Sequence, residues 1–251
     1  MSEERLIAIV PTYQELANLP ELLDRFFAAE PGADLLIVND SPHDGTASWL
    51  HSHPAYGKQL FLIERAGKLG LGTAYLEGFR WALARDYRYI FEMDADLSHD
   101  PKEIARMRRR LLAGDDLVVG SRYLGGVRIL NWPISRLLLS LGAAQYVRFL
   151  TGLPATDPTS GFKGFRREVL EALDLQAIRS TGYAFQIEGS FLAWRKGFRL
   201  GEVPIVFEDR HAGTSKMSHR IALEALVEVP RLGLRRLLGR DRRRGQGQGQ
   251  G

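Results

Sequence analysis

Short apolar runs alternate with amphipathic stretches through the first half of the chain. Residues 6–10, 35–38, 60–63, 89–93 and 117–119 are apolar enough to predict strands buried on both faces. Between them, helical spacing predicts helices over 18–29, 46–51, 72–84 and 101–112, the first with Asn18 as its cap and Pro20 in its first turn. Asp100 before Pro101 reads as the cap of the fourth. Strand and helix repeated in this order predict an α/β fold: a mostly parallel sheet with helices on both faces. Ligands of such sheets bind at the loops after the carboxyl ends of the strands, which is where chemistry is to be sought.

The second half has a different rhythm. A glycine-rich loop over 125–132 leads into a leucine-rich helix over 134–150, then a loop over 155–160 and a helix near 183–196. A strand near 199–207, a polar loop over 208–218 and a last helix from about 221 follow. Residues 245–251 alternate Gly and Gln and read as a disordered tail. With no internal repeat and no linker, the expected division is one catalytic-sized domain over 1–220, a basic amphipathic helix over 221–244 and the tail.

Charge and composition narrow the field. The chain has 251 residues and no cysteine, which rules out disulfides, thiolate metal sites and a cysteine nucleophile. The net charge of +4 is uneven: 231–244 carries seven arginines against Asp241, a net +6, which leaves −2 on the rest. Basicity confined to one segment argues against a nucleic-acid-binding protein, which spreads arginines and aromatics over a folded face. The longest uncharged apolar stretch, 137–147, is well short of the roughly 18 residues of a membrane span, and the N-terminal run stops at Pro11. The expectation is a cytoplasmic protein without a span or a signal peptide.

The strongest chemical signal is Asp94-Ala95-Asp96, directly after the fourth strand. Burying two unpaired carboxylates at a strand end costs several kcal/mol, on the order expected for isolated ions. A hard divalent cation, Mg²⁺ or Mn²⁺, removes that cost, since it prefers carboxylate oxygens together with substrate phosphates. The loops after the first two strands place Tyr13, Glu15, Asp40 and the main chain at Val38 at the same edge, offering a stacking ring and carboxylates for a nucleoside. Asp44-Gly45-Thr46 reads as a turn into a helix, and His43, His51 and His53 as solvated side chains. The loop over 65–74 is neither a Walker A loop nor a dinucleotide fingerprint, because no Gly-Lys-Ser/Thr opens the helix and Tyr75 stands where a third glycine belongs. Its glycines allow a tight turn, with Lys68 or the helix N-terminus toward an anion.

Taken in order, several motifs resemble those of the polyprenol (dolichol) phosphate mannosyltransferases, members of the GT-A group of nucleotide-sugar glycosyltransferases. They are Pro-Thr-Tyr-Gln-Glu at 11–15, Asp-Gly-Thr at 44–46, Lys-x-Gly-Leu-Gly at 68–72, Met-Asp-Ala-Asp-Leu-Ser-His at 93–99 and Gly-Ser-Arg-Tyr at 120–123. Asn-Trp-Pro at 131–133, Asp-Pro-Thr-Ser-Gly-Phe at 157–162 and Arg-x-x-Gly-x-Ser-Lys at 210–216 complete the set. The resemblance implies a GT-A fold and donor contacts at Pro11, Tyr13, Glu15, Val38, Asp40, Asp94, Ala95, Asp96, Arg122, Arg210 and Lys216. It implies metal ligation by Asp94 and Asp96, with Ser98 beside them, and catalytic roles for Asp94, Asp96 and Arg122. The chain departs from the pattern at Asn39-Asp40, where Asp-Asp is usual, and in the displaced Ser41-Pro42. It departs again at 140–144, where Leu141 and Ala144 replace an Arg and an Asn of a segment associated with the acceptor.

The implied reaction is transfer of mannose from GDP-mannose to a polyprenyl phosphate, with inversion at the anomeric carbon. A phosphate acceptor is already anionic and needs no general base, and Asp157 is the nearest candidate for one. The acceptor's lipid tail implies a peripheral protein on the cytoplasmic face of a membrane. Leu137, Leu138, Leu139 and Leu141 on one helix supply apolar side chains for it, as do Leu223, Leu226, Val227, Leu234 and Leu238 on another. Core packing of the last helix fits the same spacing. Related readings keep the donor site but use UDP-glucose or a soluble glycan acceptor.

Overall fold

The computed structural model describes residues 5–178, 180, 182, 184–208 and 219–239, and the side chains of the last segment from 226 onward. In chain order the first half runs β1 (Leu6–Thr12), α1 (Leu19–Ala29), β2 (Asp34–Asn39), α2 (Thr46–Ser52), β3 (Leu60–Glu64), α3 (Leu71–Leu83), β4 (Tyr89–Glu92), α4 (Glu103–Leu112) and β5 (Leu117–Ser121). The second half adds β6 (Ile129–Leu130), α5 (Ile134–Thr151), β7 (Lys163–Arg166), α6 (Arg167–Ala172), α7 (Ala184–Arg195), β8 (Leu200–Pro204), β9 (Phe207–Glu208) and α8 (His219–Leu237). All five strands and four helices expected in the first half are present, and no end lies more than two residues from its expected place.

The main sheet has seven strands in the order β3-β2-β1-β4-β7-β5-β8, and β6 and β9 form a separate parallel pair. Only β7 runs antiparallel to its neighbours, β4 and β5. It was not expected, because Lys163-Gly164-Phe165-Arg166 has no apolar run, and a buried lysine there disguises the strand. The chain winds outward from β1 to β3 on one side and starts again at β4 on the other, so the switch point lies between β1 and β4. Thr12 and Asp94 therefore flank the crevice where such sheets take ligands.

The alternation of β1 assigns its side chains to two cores. Ile7 and Ile9 join α3, α6, α7 and α8 on one face, while Leu6, Ala8 and Val10 join α1 and α4 on the other. Two details of helix capping differ from expectation. The Asn18 side chain makes no cap and instead donates to the Glu15 carboxylate (2.6 Å). Asp100 accepts the Lys102 N–H in a turn that precedes α4. The last helix packs on one side only: Val229 and Leu232 are buried in the core, whereas Leu226, Val227, Leu234, Leu237 and Leu238 are exposed. The side chain of Leu223 and residues 240–251 lie outside the described residues. Among the described residues no helix is long and apolar enough to cross a membrane.

Helix α3 lies so close to the sheet that a Cβ on Gly78 would meet Ile9 Cγ2 at 2.5 Å. Alanine at 78 gains about 1 kcal/mol of helix propensity but overpacks the core at a cost of about 1–3 kcal/mol. Gly78→Ala is therefore expected to destabilise the protein in urea unfolding, with a smaller cost in an Ile9→Ala background. A stabilised Gly78→Ala variant would contradict the close packing of α3 on β1.

Candidate active site

The carboxyl ends of β1, β2, β3, β4, β5 and β8, and the start of the antiparallel β7, share one edge of the sheet. Most of the residues expected to act do meet there. Pro11 and Val38 are register partners on β1 and β2, and Val38 is fully buried. The Tyr13 ring carries the Lys68 ammonium 4.3 Å from its centroid, which brings the loop after β3 beside the loop after β1. Asn39 uses both ends of its amide: it accepts from Ser41 N–H (3.0 Å) and Thr12 Oγ1 (3.2 Å) and donates to the Ser41 carbonyl (3.1 Å). An aspartate could only accept, which gives the departure at 39 a local reason.

Asp40 is held by Arg65 at 2.7 Å and by the Leu69 N–H at 3.3 Å. Burial pushes its carboxyl above the ordinary range, with Arg65 pulling the other way. Arg65 also reaches Thr73 (2.5 Å) and Glu77 (3.1 Å), tying the 65–73 loop to β2. Its role was not foreseen, because an ion pair 25 residues apart leaves no local pattern. Asp44 accepts the Thr46 N–H, and Gly45 takes φ +84, as expected of a turn entering α2.

Beyond β4 the chain makes a tight loop. Asp96 is buried, and its Oδ1 accepts both the Ser98 N–H (3.1 Å) and the Ser98 hydroxyl (2.5 Å). The Ser98 hydroxyl thus holds a carboxylate. Leu97 lies in the left-handed region at φ +64. The Asp94 side chain keeps 34% of its surface exposed. The buried Tyr75 hydroxyl donates toward its Oδ1 at 3.4 Å. Burial, reinforced by the Asp94 charge, pushes that phenol well above its ordinary range, so it remains a donor. Ala95 between the two aspartates is buried.

Gly161, at the approach to β7, faces Asp94: a Cβ there would stand 3.4 Å from Oδ2 and 3.5 Å from Oδ1. A side chain at 161 would crowd the space in front of this carboxylate, and glycine leaves it open. Two hard oxygen donors beside an open space suit Mg²⁺ or Mn²⁺. Among the described residues no three His, Asp or Glu side chains converge.

Beneath this loop Glu92 pairs in register with Lys163, whose ammonium donates to the Gln186 carbonyl (2.6 Å) and side-chain oxygen. Burial pushes the Glu92 carboxyl up to about 7 and the Lys163 ammonium down to about 8. Two buried groups of opposite charge here lie within the sheet and behind the reacting edge.

Arg122 follows β5 and has a buried partner. It grips the fully buried Asp157 with two parallel bonds of 2.6 and 2.7 Å, and its own N–H adds a third at 3.1 Å. Thr159 accepts from the same guanidinium at 2.8 Å. Burial alone would raise the Asp157 carboxyl, but the Arg122 charge and these hydrogen bonds outweigh it and hold it below the ordinary range. Asp157 is therefore a poor general base, and that expectation is withdrawn. The Arg122 guanidinium also lies 5.3–5.7 Å from the ring centroids of Tyr123, Trp132 and Phe207. Glu202 on β8 secures the loop by accepting from the N–H groups of Thr156 (2.9 Å) and Asp157 (3.2 Å). Arg210 and Lys216 lie outside the described residues.

The chain has relatives among known proteins. Residues 7–174 match the family described as Glycosyl transferase family 2, and the chain belongs to that family of glycosyltransferases. Two relatives bear out the narrower resemblance. The chain is 44% identical over 230 residues to undecaprenyl-phosphate mannosyltransferase of Micrococcus luteus, covering 92% of this chain and 94% of that protein. It is 44% identical over 240 residues to polyprenol monophosphomannose synthase of Mycolicibacterium smegmatis, covering 95% and 91%. The GT-A fold is likewise borne out. Glucosyl-3-phosphoglycerate synthase from Mycobacterium tuberculosis, solved with Mn²⁺, UDP and glucosyl-3-phosphoglycerate, superposes with a TM-score of 0.65 at 16% identity, over 95% of this chain and 81% of that one. A mannosyltransferase from Pyrobaculum calidifontis, solved with GDP-Man and Mn²⁺, gives 0.60 at 18% identity, over 90% and 64%.

Asp157→Asn leaves the Arg122 charge with a neutral partner in a buried place, so a loss of about 3 kcal/mol or more is expected at neutral pH. Because the folded-state carboxyl is held low, its contribution is present above the ordinary aspartate range and lost as pH falls through the folded value. Urea unfolding of both proteins from pH 7 down to pH 3 should show the difference shrinking. A difference that does not change with pH would contradict the ion pair.

Proposed function

We propose that the protein transfers mannose from GDP-mannose to the phosphate of a polyprenyl phosphate at a membrane surface, with inversion of the anomeric carbon. The observation that carries this reading is the Asp94–Asp96 pair at the end of β4, opening past Gly161 toward the arginines and aromatic rings that follow β5. The names of the two relatives support mannose and a polyprenyl phosphate, and the GDP-Man bound by a protein of the same fold supports the donor.

The donor's nucleoside is assigned to Pro11, Tyr13, Glu15, Asp40 and the main chain at Val38, and its diphosphate to the Asp94-Ala95-Asp96 segment. Arg122, Arg210 and Lys216 are assigned to the same anion. Asp94 and Asp96 are the residues that would hold Mg²⁺ or Mn²⁺, which when bound supplies positive charge to a departing diphosphate.

The acceptor phosphate is assigned to the neighbourhood of Trp132. The Arg122 and Arg136 guanidiniums lie 5.7 and 4.0 Å from the centroid of that one indole ring. One turn beyond Arg136, Ser140 receives the Tyr123 hydroxyl at 2.7 Å. Arg136 thus places a cation on α5 even though Leu141 and Ala144 replace the residues usual further along it. In the reaction an acceptor phosphate oxygen attacks the anomeric carbon as the bond to the GDP β-phosphate oxygen breaks. In-line displacement converts an α-linked donor to a β-linked product, and the anionic nucleophile has no proton to give up, in keeping with the occupied state of Asp157.

The lipid tail requires an interface. Ile134, Leu138, Leu139 and Phe149 on α5 and Leu226, Val227, Leu234, Leu237 and Leu238 on α8 are exposed, Phe149 and Leu237 to 84% and 82%. Arg235 and Arg236 occupy the last turn of α8. We assign residues 1–220 to catalysis and 221–244 to contact with an anionic surface, on the cytoplasmic side of a membrane.

Radiolabelled GDP-mannose incubated with the protein, Mg²⁺ and polyprenyl phosphate should deliver label to the organic phase. Asp96→Asn should remove nearly all of it without a change in melting temperature, and EDTA should do the same reversibly. Label taken only from UDP-glucose, or turnover untouched by both treatments, would overturn the donor or the metal assignment.

Leu232 belongs to the core, so the interface is tested without truncating α8. Replacing Leu234, Leu237 and Leu238 by Gln should release the protein from phosphatidylglycerol vesicles, by about 1 kcal/mol or more in all, and slow transfer to long-chain acceptors only. High salt should weaken the remaining binding. Equal sedimentation of both proteins would count against α8 as the contact.

A further inference from the structure

His99 closes the Asp94 loop, yet nothing in the reaction above uses it. The ring is buried, stacked on Phe162 (centroids 4.9 Å apart) and edge-on to Phe207 (5.7 Å). Its Nδ1 accepts the main-chain N–H of Asp94 at 3.1 Å, which assigns the ring proton to Nε2. The same Nδ1 stands 3.8 Å from Asp94 Oδ2. The ladder hydrogen bonds of β4 end with the Met93 N–H, which donates to the Ile9 carbonyl. The next N–H, that of Asp94, leaves the ladder just where the chain must turn outward, and a ring five residues further on takes it up.

We infer that His99 is a positioning residue for the Asp94–Asp96 pair, acting through the Nδ1 lone pair that clips the loop onto its own first N–H; this rests on the reading of that pair as the metal and diphosphate site. The clip complements the contacts inside the loop. Ser98 orients Asp96, Leu97 takes the left-handed turn, and His99 returns the chain to Asp94. Packing of the ring on Phe162 and Phe207 fixes where Nδ1 points. The two carboxylates therefore keep their relative placement before any ligand arrives, and the cost of ordering them is met during folding and not during binding.

Packing and hydrogen bonding at 99 are separable by substitution. Asn carries an oxygen one bond from Cγ, as His carries Nδ1, and so keeps the acceptor while losing the stacked ring. Phe keeps the ring and loses the acceptor. Gln keeps polarity but moves its oxygen one atom further out. Mn²⁺ affinity in the presence of GDP, read by electron paramagnetic resonance, is expected to fall about tenfold or more in His99→Phe and His99→Gln, the scale of a lost supporting hydrogen bond at a metal site. His99→Asn should stay within about threefold of wild type despite a lower melting temperature, because its acceptor is kept. Exchange of the Asp94 amide should be slow in wild type and His99→Asn and fast in the other two.

Wild-type affinity in either His99→Phe or His99→Gln, or an equal loss in His99→Asn, would overturn the inference, and having both first variants guards against one that fails to fold. If wild type itself binds no Mn²⁺ with GDP, the metal reading fails, and the clip is then judged by the amide exchange alone. An Asp94 amide that exchanges equally in all four proteins overturns it there too.

Discussion

Negative charge gathered at one sheet edge is the constraint on which the rest of this structure depends. Asp40, Asp94, Asp96 and Asp157 all arrive at the carboxyl ends of the strands or the approach to β7. Each needs something to offset the loss of water, and the fold supplies it in two ways. Asp40 and Asp157 are gripped by the arginines Arg65 and Arg122, so they act as struts that tie loops to the sheet. Asp94 and Asp96 are oriented by the hydroxyls of Tyr75 and Ser98, and Gly161 leaves the space before Asp94 open. A strut and a binding group thus use the same carboxylate and differ in what the fold puts opposite it.

That distinction separates what the chain shows on its face from what it conceals. Parallel strands and their helices were legible because buried strands are apolar without interruption and amphipathic helices keep a 3.6-residue period. The Asp94–Asp96 pair was legible because two charges directly after such a strand conflict with burial. The partners of Asp40 and Asp157 were not, since Arg65 and Arg122 lie 25 and 35 residues away and the pairing arises only once β2 meets β3 and β7 meets β5. Strand β7 was hidden for a related reason: Lys163 is buried at its start, opposite Glu92 in the ladder and bonded to Gln186, and no local pattern announces a buried lysine. His99 stood within a recognised motif, but its contact with the Asp94 N–H depends on a left-handed residue at 97 that composition does not reveal.

The proposed interface uses helices that also pack the core. Helix α5 buries Ala144, Val147 and Thr151 and leaves Leu138, Leu139 and Phe149 exposed, while α8 buries Val229 and Leu232 and exposes Leu226, Val227 and Leu234. Each helix is half core and half surface, which is why spacing alone could not choose between packing and membrane contact. Trp132, just before α5, has the Arg136 and Arg122 guanidiniums 4.0 and 5.7 Å from its ring centroid. The proposed acceptor phosphate would thus stand at the root of a helix with exposed apolar side chains, with the Asp94 loop beyond Phe207 and His99.

The most direct measurement is a crystal soaked with GDP and Mn²⁺ and recorded at the manganese absorption edge. The account predicts one anomalous peak between the Asp94 and Asp96 carboxylates on the Gly161 side, in contact with the diphosphate. A diphosphate seated at this edge with manganese elsewhere, or with none, would contradict it.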